Sequence, residues 1–150
     1  MVRYVYLLLI VWLAAAWISP TPSAKRQPPI HLQTTWASLK GGPMDVPTML
    51  PVLDSPLSVT DDHGGAYTIT RFRFSFRQKV QFRDDSTGEV KTNYMLVSRE
   101  FHGTDRLDSL WKENIRSSLQ PGDSFTIDHV IVKDISGQKL LAPDLTFDIK

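Results

Sequence analysis

Apolar and polar residues alternate most sharply along residues 67–82 (YTITRFRFSFRQKVQF), where Phe72, Phe74, Phe76, Val80 and Phe82 hold positions of one parity. A two-residue period marks a strand with one buried face. Tyr67 and Ile69 sit on the opposite parity, so a bulge or bend near Thr70 is predicted to bring both stretches onto the same face. Asp84-Asp85-Ser86-Thr87-Gly88 is a turn sequence, and residues 90–97 (VKTNYMLV) return as the second arm of a long hairpin. Leu107, Leu110, Trp111, Ile115 and Leu119 then recur at helical spacing. They predict an amphipathic helix capped by Thr104 or Asp105 and stopped at Pro121-Gly122. Beyond it Phe125, Ile127, His129 and Ile131 alternate as a third strand, with His129 expected in the core or at an interface. A turn over residues 134–138 leads to one or two final strands around Leu140-Leu141 and Leu145, Phe147 and Ile149, broken at Pro143.

The first third of the chain is punctuated differently, since eight of the ten prolines lie at or before Pro56. A short strand is predicted at residues 34–39, and Gly41-Gly42-Pro43 breaks it. Pro47, Pro51 and Pro56 interrupt residues 44–60 too often for a helix or central strand. An extended segment packed over an edge of the fold is expected there. Together the elements predict a mainly β fold with one α-helix: β-sandwich-like antiparallel sheets with a long hairpin and a helical crossover.

Residues 1–24 open with Arg3, run apolar from Val5 to Ile18 and end in SPTPSA. The run is shorter than the roughly 18–20 residues of a membrane-spanning helix, and its order suits a secretory signal peptide or an uncleaved signal anchor. Residues 25–40 read as a linker and short strand, and 41–150 as the β domain. The whole chain carries 17 Lys+Arg against 16 Asp+Glu, and loss of Arg3 with the leader leaves 16 of each. Bulk charge therefore argues against nucleic acid as a partner. Without cysteine, neither disulfides nor thiol chemistry are available to an exported form of the protein.

The order Gly41-Gly42, proline-punctuated segment, YTITRFRFSF, a helix running into SLQPGDSFTIDHVIVKD and a terminal LTFDIK resembles the C-terminal domain of the GldM (PorM) family. That family forms the periplasmic shaft of the type IX secretion and gliding-motility machinery of Bacteroidota. The similarity runs over about residues 31–150 and is most specific at residues 119–133. GldM-type proteins place a transmembrane helix and several domains before this one, whereas here the signal is followed almost directly by the terminal module. The resemblance implies a non-catalytic, β-rich interaction module in a Gram-negative envelope, periplasmic or secreted. Its implied partner is an envelope or secretion-system protein, a homodimer is a further assembly it allows, and membrane contact is expected only through an uncleaved anchor.

No nucleotide-binding glycine signature, nucleophile elbow or His-Glu-x-x-His motif occurs. No catalytic residue, metal ligand or cofactor is therefore assigned. Asp61-Asp62-His63-Gly64-Gly65 has the donors of a metal loop, but Asp and Gly are also what an ordinary turn needs, and a turn is expected. Asp84 and Asp85 are adjacent, which points their carboxylates to opposite sides. The candidate binding surface is the face opposite the phenylalanines. Arg71, Arg73, Arg77, Lys79 and Arg83 share one parity, so a straight strand projects five cations on one side, either as a solvated face or as a docking site for an acidic partner. Glu89 is a candidate for partial neutralisation from across the hairpin. A second functional class, a secreted glycan-binding β domain, would rely on Trp36 as its exposed aromatic platform.

Overall fold

The structure is a computed structural model that describes residues 30–150. The signal segment and the start of the linker lie outside the described residues. Strands β1 (Leu32–Trp36), β2 (Gly42–Met44), β3 (Leu57–Asp61), β4 (Ala66–Arg83), β5 (Val90–His102), β6 (Ser124–Lys133), β7 (Lys139–Leu141) and β8 (Leu145–Ile149) join helices α1 (Val46–Val52) and α2 (Ser109–Ser118). The strands form one eight-stranded sheet in the order β1-β3-β4-β6-β8-β2, with β5 paired to β4 and β7 to β6. All pairs are antiparallel except β2 with β8. The fold is mainly β, as the alternation predicts.

The two layers of a sandwich are supplied here by a single curled sheet. Trp36 of β1 lies edge-on to Phe74 of β4 at 5.9 Å and to Phe147 of β8 at 6.0 Å between centroids. The Thr34 hydroxyl donates to the carbonyl of Pro143 at 2.6 Å, so the first strand closes over the far end of the sheet. Inside the curl, Phe72, Phe74, Phe125, Phe147, Met49, Ile115 and Ile127 are fully buried. Edge-to-face and offset ring pairs of this kind add to the area they bury.

The parity change near Thr70 is present, and it has a counterpart on β6. Between the pairs Ile69↔Val132 and Arg71↔Ile131, β4 carries the additional residue Thr70. Between Arg71↔Ile131 and Arg73↔Asp128, β6 carries the additional residue instead. There His129 takes a left-handed backbone (φ 51°) and turns outward, so Val130 and Val132 continue the buried face begun by Phe125 and Ile127. His129 is thus an exposed bulge residue rather than a core histidine.

Two helices are described where one was expected. Despite Pro47 and Pro51, residues Val46–Val52 are helical: Asp45 caps the start by accepting from the Thr48 N–H at 3.2 Å, and Pro47 falls in the first turn, where no intrahelical N–H is required. Burial of Met49, Val52 and Leu53 offsets the bond that Pro51 cannot make. Helix α2 starts later than predicted, with Asp108 as its cap, accepting from the Trp111 N–H at 2.9 Å. Leu107 is buried just ahead of it and Ile115 within it, whereas Leu110 is 63% exposed.

Gly41 sits at φ 87°, and a Cβ there would lie 2.5 Å from the Thr146 carbonyl oxygen, which explains why glycine occupies the entry to the parallel β2–β8 pair. The turn after α2 is held by Asp123, only 1% exposed. Its carboxylate accepts from the Lys79 N–H at 2.6 Å and the Gln120 N–H at 2.9 Å, while its carbonyl accepts from the Ile149 N–H at 2.9 Å. One side chain therefore ties the helix end to β4, and its own backbone ties it to β8. Asp123→Ala leaves both N–H groups unpaired and is expected to cost about 2 kcal/mol of unfolding free energy, measurable as a lower urea midpoint at unchanged slope.

Candidate interaction site on the long hairpin

The β4–β5 hairpin runs in unbroken register from Arg71↔His102 to Arg83↔Val90. Strand β6 pairs β4 only as far as Arg77↔Ser124, so the distal part of the hairpin extends past its neighbour. Asp84 closes the tip by accepting from the N–H and the hydroxyl of Ser86 and from the Lys91 ammonium. Those donors, Lys91 first, draw the Asp84 carboxyl down to about 2. A depressed carboxylate pKa stabilises the tip above the unfolded value of 3.8, and that contribution is lost as pH falls through about 2. The Asp84 carboxyl carbon should accordingly titrate by NMR near pH 2 in the wild type and at higher pH in Lys91→Ala.

The five predicted cations do share the outer face of β4, but they are not equivalent. Arg73 forms a forked pair with Asp128 of β6, Nε to Oδ1 at 2.7 Å and Nη2 to Oδ2 at 2.8 Å. The Arg77 guanidinium lies 3.5 Å above the centre of the Tyr94 ring. The main chain of Lys79 is engaged by Asp123 and Gln120. Among the described residues, Arg71, Arg77, Lys79 and Arg83 have no carboxylate within 4 Å. Glu89 does not neutralise the row, because it lies in the hairpin turn; the acid opposite the row is Glu100, directly across from Arg73. The basic face continues past Arg71 into a cleft of about 480 Å³, lined also by His102, Lys133 and Lys139.

The Arg73–Asp128 pair is the internal anchor of this face. Hydrogen bonding to Arg73 holds the Asp128 carboxyl below its ordinary range, and the His129 ring adds a second contact at 2.9 Å. Because the folded-state pKa is lowered, the pair stabilises the fold above pH 3.8 and its contribution fades as pH drops through the folded value. Asp128→Asn should lose about 1 kcal/mol at pH 7, as expected of a half-exposed forked pair. That deficit should shrink in denaturant titrations repeated at successively lower pH, as the pH falls through the lowered folded value.

The alternation of β4 does not reveal the other half of the surface, the edge formed by β5. Among the described residues β5 pairs only with β4, leaving thirteen residues with one side uncovered. Val90, Tyr94, Met95, Leu96 and Val97 are 41–66% exposed. Tyr94, Met95, Leu96 and Val97 form a continuous apolar run, the kind of sequence that reads as a strand buried on both faces. Beneath it, Phe76, Met95, Val97, Trp111 and Ile115 line a groove of about 320 Å³ between the inner face of the hairpin and α2. Arg99 ties β5 to the cap of α2 through Asp108 at 2.6 Å.

The other sequence candidates are dispersed. Trp36 is 1% exposed and donates its ring N–H to the Ser55 carbonyl at 3.0 Å, which removes it as an exposed platform. Asp61 is a turn residue: one carboxylate oxygen accepts from the N–H groups of His63 and Gly65, both at 2.8 Å, and the other from the Tyr67 hydroxyl at 2.9 Å. The Gly65 bond is the main reason its carboxyl is held below the ordinary range. Among the described residues no group of three His, Cys, Asp or Glu side chains converges, and no helix is long and apolar enough to cross a membrane. The chain matches no family model, and no curated protein matches it.

Proposed function

We propose that the protein is a non-catalytic protein-interaction module that works outside the cytoplasm, in the periplasm or secreted, and docks an envelope or secretion-system protein on its long hairpin. The observation that carries this reading is the β4–β5 hairpin. It joins a row of cations, four of them without carboxylate partners among the described residues, to an uncovered edge with an apolar centre. Contiguous apolar surface bordered by charge is what interaction sites present, and folding of the isolated chain gives no reason to keep it exposed. The apolar leader of residues 1–24 supports export, and the sequence resemblance to the GldM C-terminal domain supports an association with type IX secretion or gliding motility. Nothing favours the glycan-binding alternative once Trp36 is in the core.

The test follows from the different anchoring of the cations. Arg73 is spared because its reversal would set a carboxylate against Asp128. Arg71→Glu, Arg77→Glu and Arg83→Glu together should leave the melting temperature within a few degrees of the wild type. The triple variant should fail to retain, in pull-downs from the native envelope fraction, the protein that the wild type retains. Equal recovery by both would remove the basic face from the proposal.

A further inference from the structure

We propose that the free edge of β5 takes up an extended segment of a partner protein as an added strand, and that this segment alternates acidic with apolar side chains. The inference rests on the docking role of the hairpin and adds the mode of docking and the chemistry of what is docked.

The backbone supplies the first argument. Lys79 turns its N–H toward Asp123 and its carbonyl toward Gln120, away from β5. In an antiparallel ladder, residues opposite each other turn their polar groups either both inward or both outward. Tyr94, opposite Lys79, therefore points its N–H and C=O away from β4, and by alternation so do Thr92, Leu96, Ser98 and Glu100. The Tyr94 N–H is met by the Asn93 side chain at 2.8 Å, a local substitute for a neighbouring strand. An edge of this kind is a template for strand addition.

The two faces of the edge specify the ligand. A strand added to β5 carries alternate side chains on the outer and inner faces of the sheet. On the outer face they would lie beside Tyr94 and Leu96, with Arg77, Lys79 and Arg83 in the next row. The Arg77 guanidinium already lies 3.5 Å above the centre of the Tyr94 ring and has no carboxylate partner among the described residues, so its N–H groups can fork onto an added carboxylate. On the inner face the added side chains would meet the apolar groove lined by Met95, Val97 and Trp111. Acidic residues outward and apolar residues inward satisfy both faces at once.

Charge also separates this occupant from two others. Residues 1–29 contain no Asp or Glu, so the chain's own N-terminal segment cannot neutralise the row. A second copy paired through β5 would bring only Glu100 as an outer-face acid on its own β5, against the same row of cations.

The probe is a fluorescently labelled nine-residue peptide of alternating valine and glutamate, titrated against the full chain. The same peptide N-methylated at alternate amides, and a valine–lysine version, serve as controls. Binding by the valine–glutamate peptide is expected to slow hydrogen exchange at the Thr92, Leu96 and Ser98 amides. Leu96→Pro removes an outward N–H without touching the β4–β5 ladder, and it should weaken binding about tenfold or more. N-methylation of the peptide should have the same effect, and it asks the same question if Leu96→Pro fails to fold. Arg77→Glu with Arg83→Glu should also cost about tenfold, and the valine–lysine peptide should not bind. If the charge reversal weakens binding while Leu96→Pro and N-methylation do not, strand addition is wrong and docking on the basic face stands. If the peptide does not bind, or none of these changes matters, strand addition fails as well, and the pull-down of the triple variant decides separately whether the hairpin docks anything. Concentration-dependent protection of the β5 amides without peptide would identify a second copy as the occupant and overturn the proposal.

Discussion

The structure depends on keeping two long strands in phase while both change parity. Strand β4 changes its buried set from Ile69 to Phe72, Phe74 and Phe76, and β6 changes from Val132 and Val130 to Ile127 and Phe125. A single bulge on one strand would set core residues against surface residues for the remainder of the ladder. The additional residue Thr70 on β4 is compensated almost at once by the one at His129 on β6. Each site is bonded locally: the Thr70 hydroxyl donates to the Ile131 carbonyl at 3.0 Å, and Asp128, next to His129, holds Arg73. Bulges increase local twist, and the sheet that carries this pair curls far enough for Trp36 to reach Phe74 and Phe147. The same phase correction leaves the cations from Arg71 onward on one outer face.

What could be read from the sequence follows from which forces act locally. The Phe72–Phe76 alternation and the parity break at Thr70 are legible because a half-buried strand writes its burial directly into every second residue. The alternation of β6 alone puts His129 in step with the buried Phe125 and Ile127, because the bulge that turns it outward answers a constraint carried by β4. The prolines of α1 mask its helical character in the sequence, although Asp45 caps it through the Thr48 N–H and Pro47 is placed where a helix tolerates it. Leu110 illustrates the opposite error, a residue on the helical period with nothing above it to cover it. Trp36 could not be placed at all without the closure of β1 over the sheet, which is a contact between residues far apart in the chain.

The candidate site was half visible for the same reason. Parity alone puts Arg71, Arg73, Arg77, Lys79 and Arg83 on one face, but it cannot tell which of them a distant acid engages. Asp128 is 55 residues from Arg73 and reaches it only because β6 pairs with β4. The edge was harder still. Four consecutive apolar residues at positions 94–97 suggest burial on two faces, and only the strand order reveals that β5 is outermost among the described residues.

That mismatch between composition and position is the most informative property of β5. Exposed edges in stable monomers are commonly blunted by proline, by bulges or by charges along the middle of the strand. Here the ladder to β4 is regular throughout, no proline interrupts it, and Lys91 and Arg99 sit toward the ends, each committed to an internal carboxylate, Asp84 and Asp108. The centre from Tyr94 to Val97 is left without a charge of its own, and the cations nearest to it belong to β4. Replacing Leu96 or Met95 by a polar residue would reduce exposed apolar area without opening the core, since neither is buried. Folding therefore does not require an apolar centre on this edge.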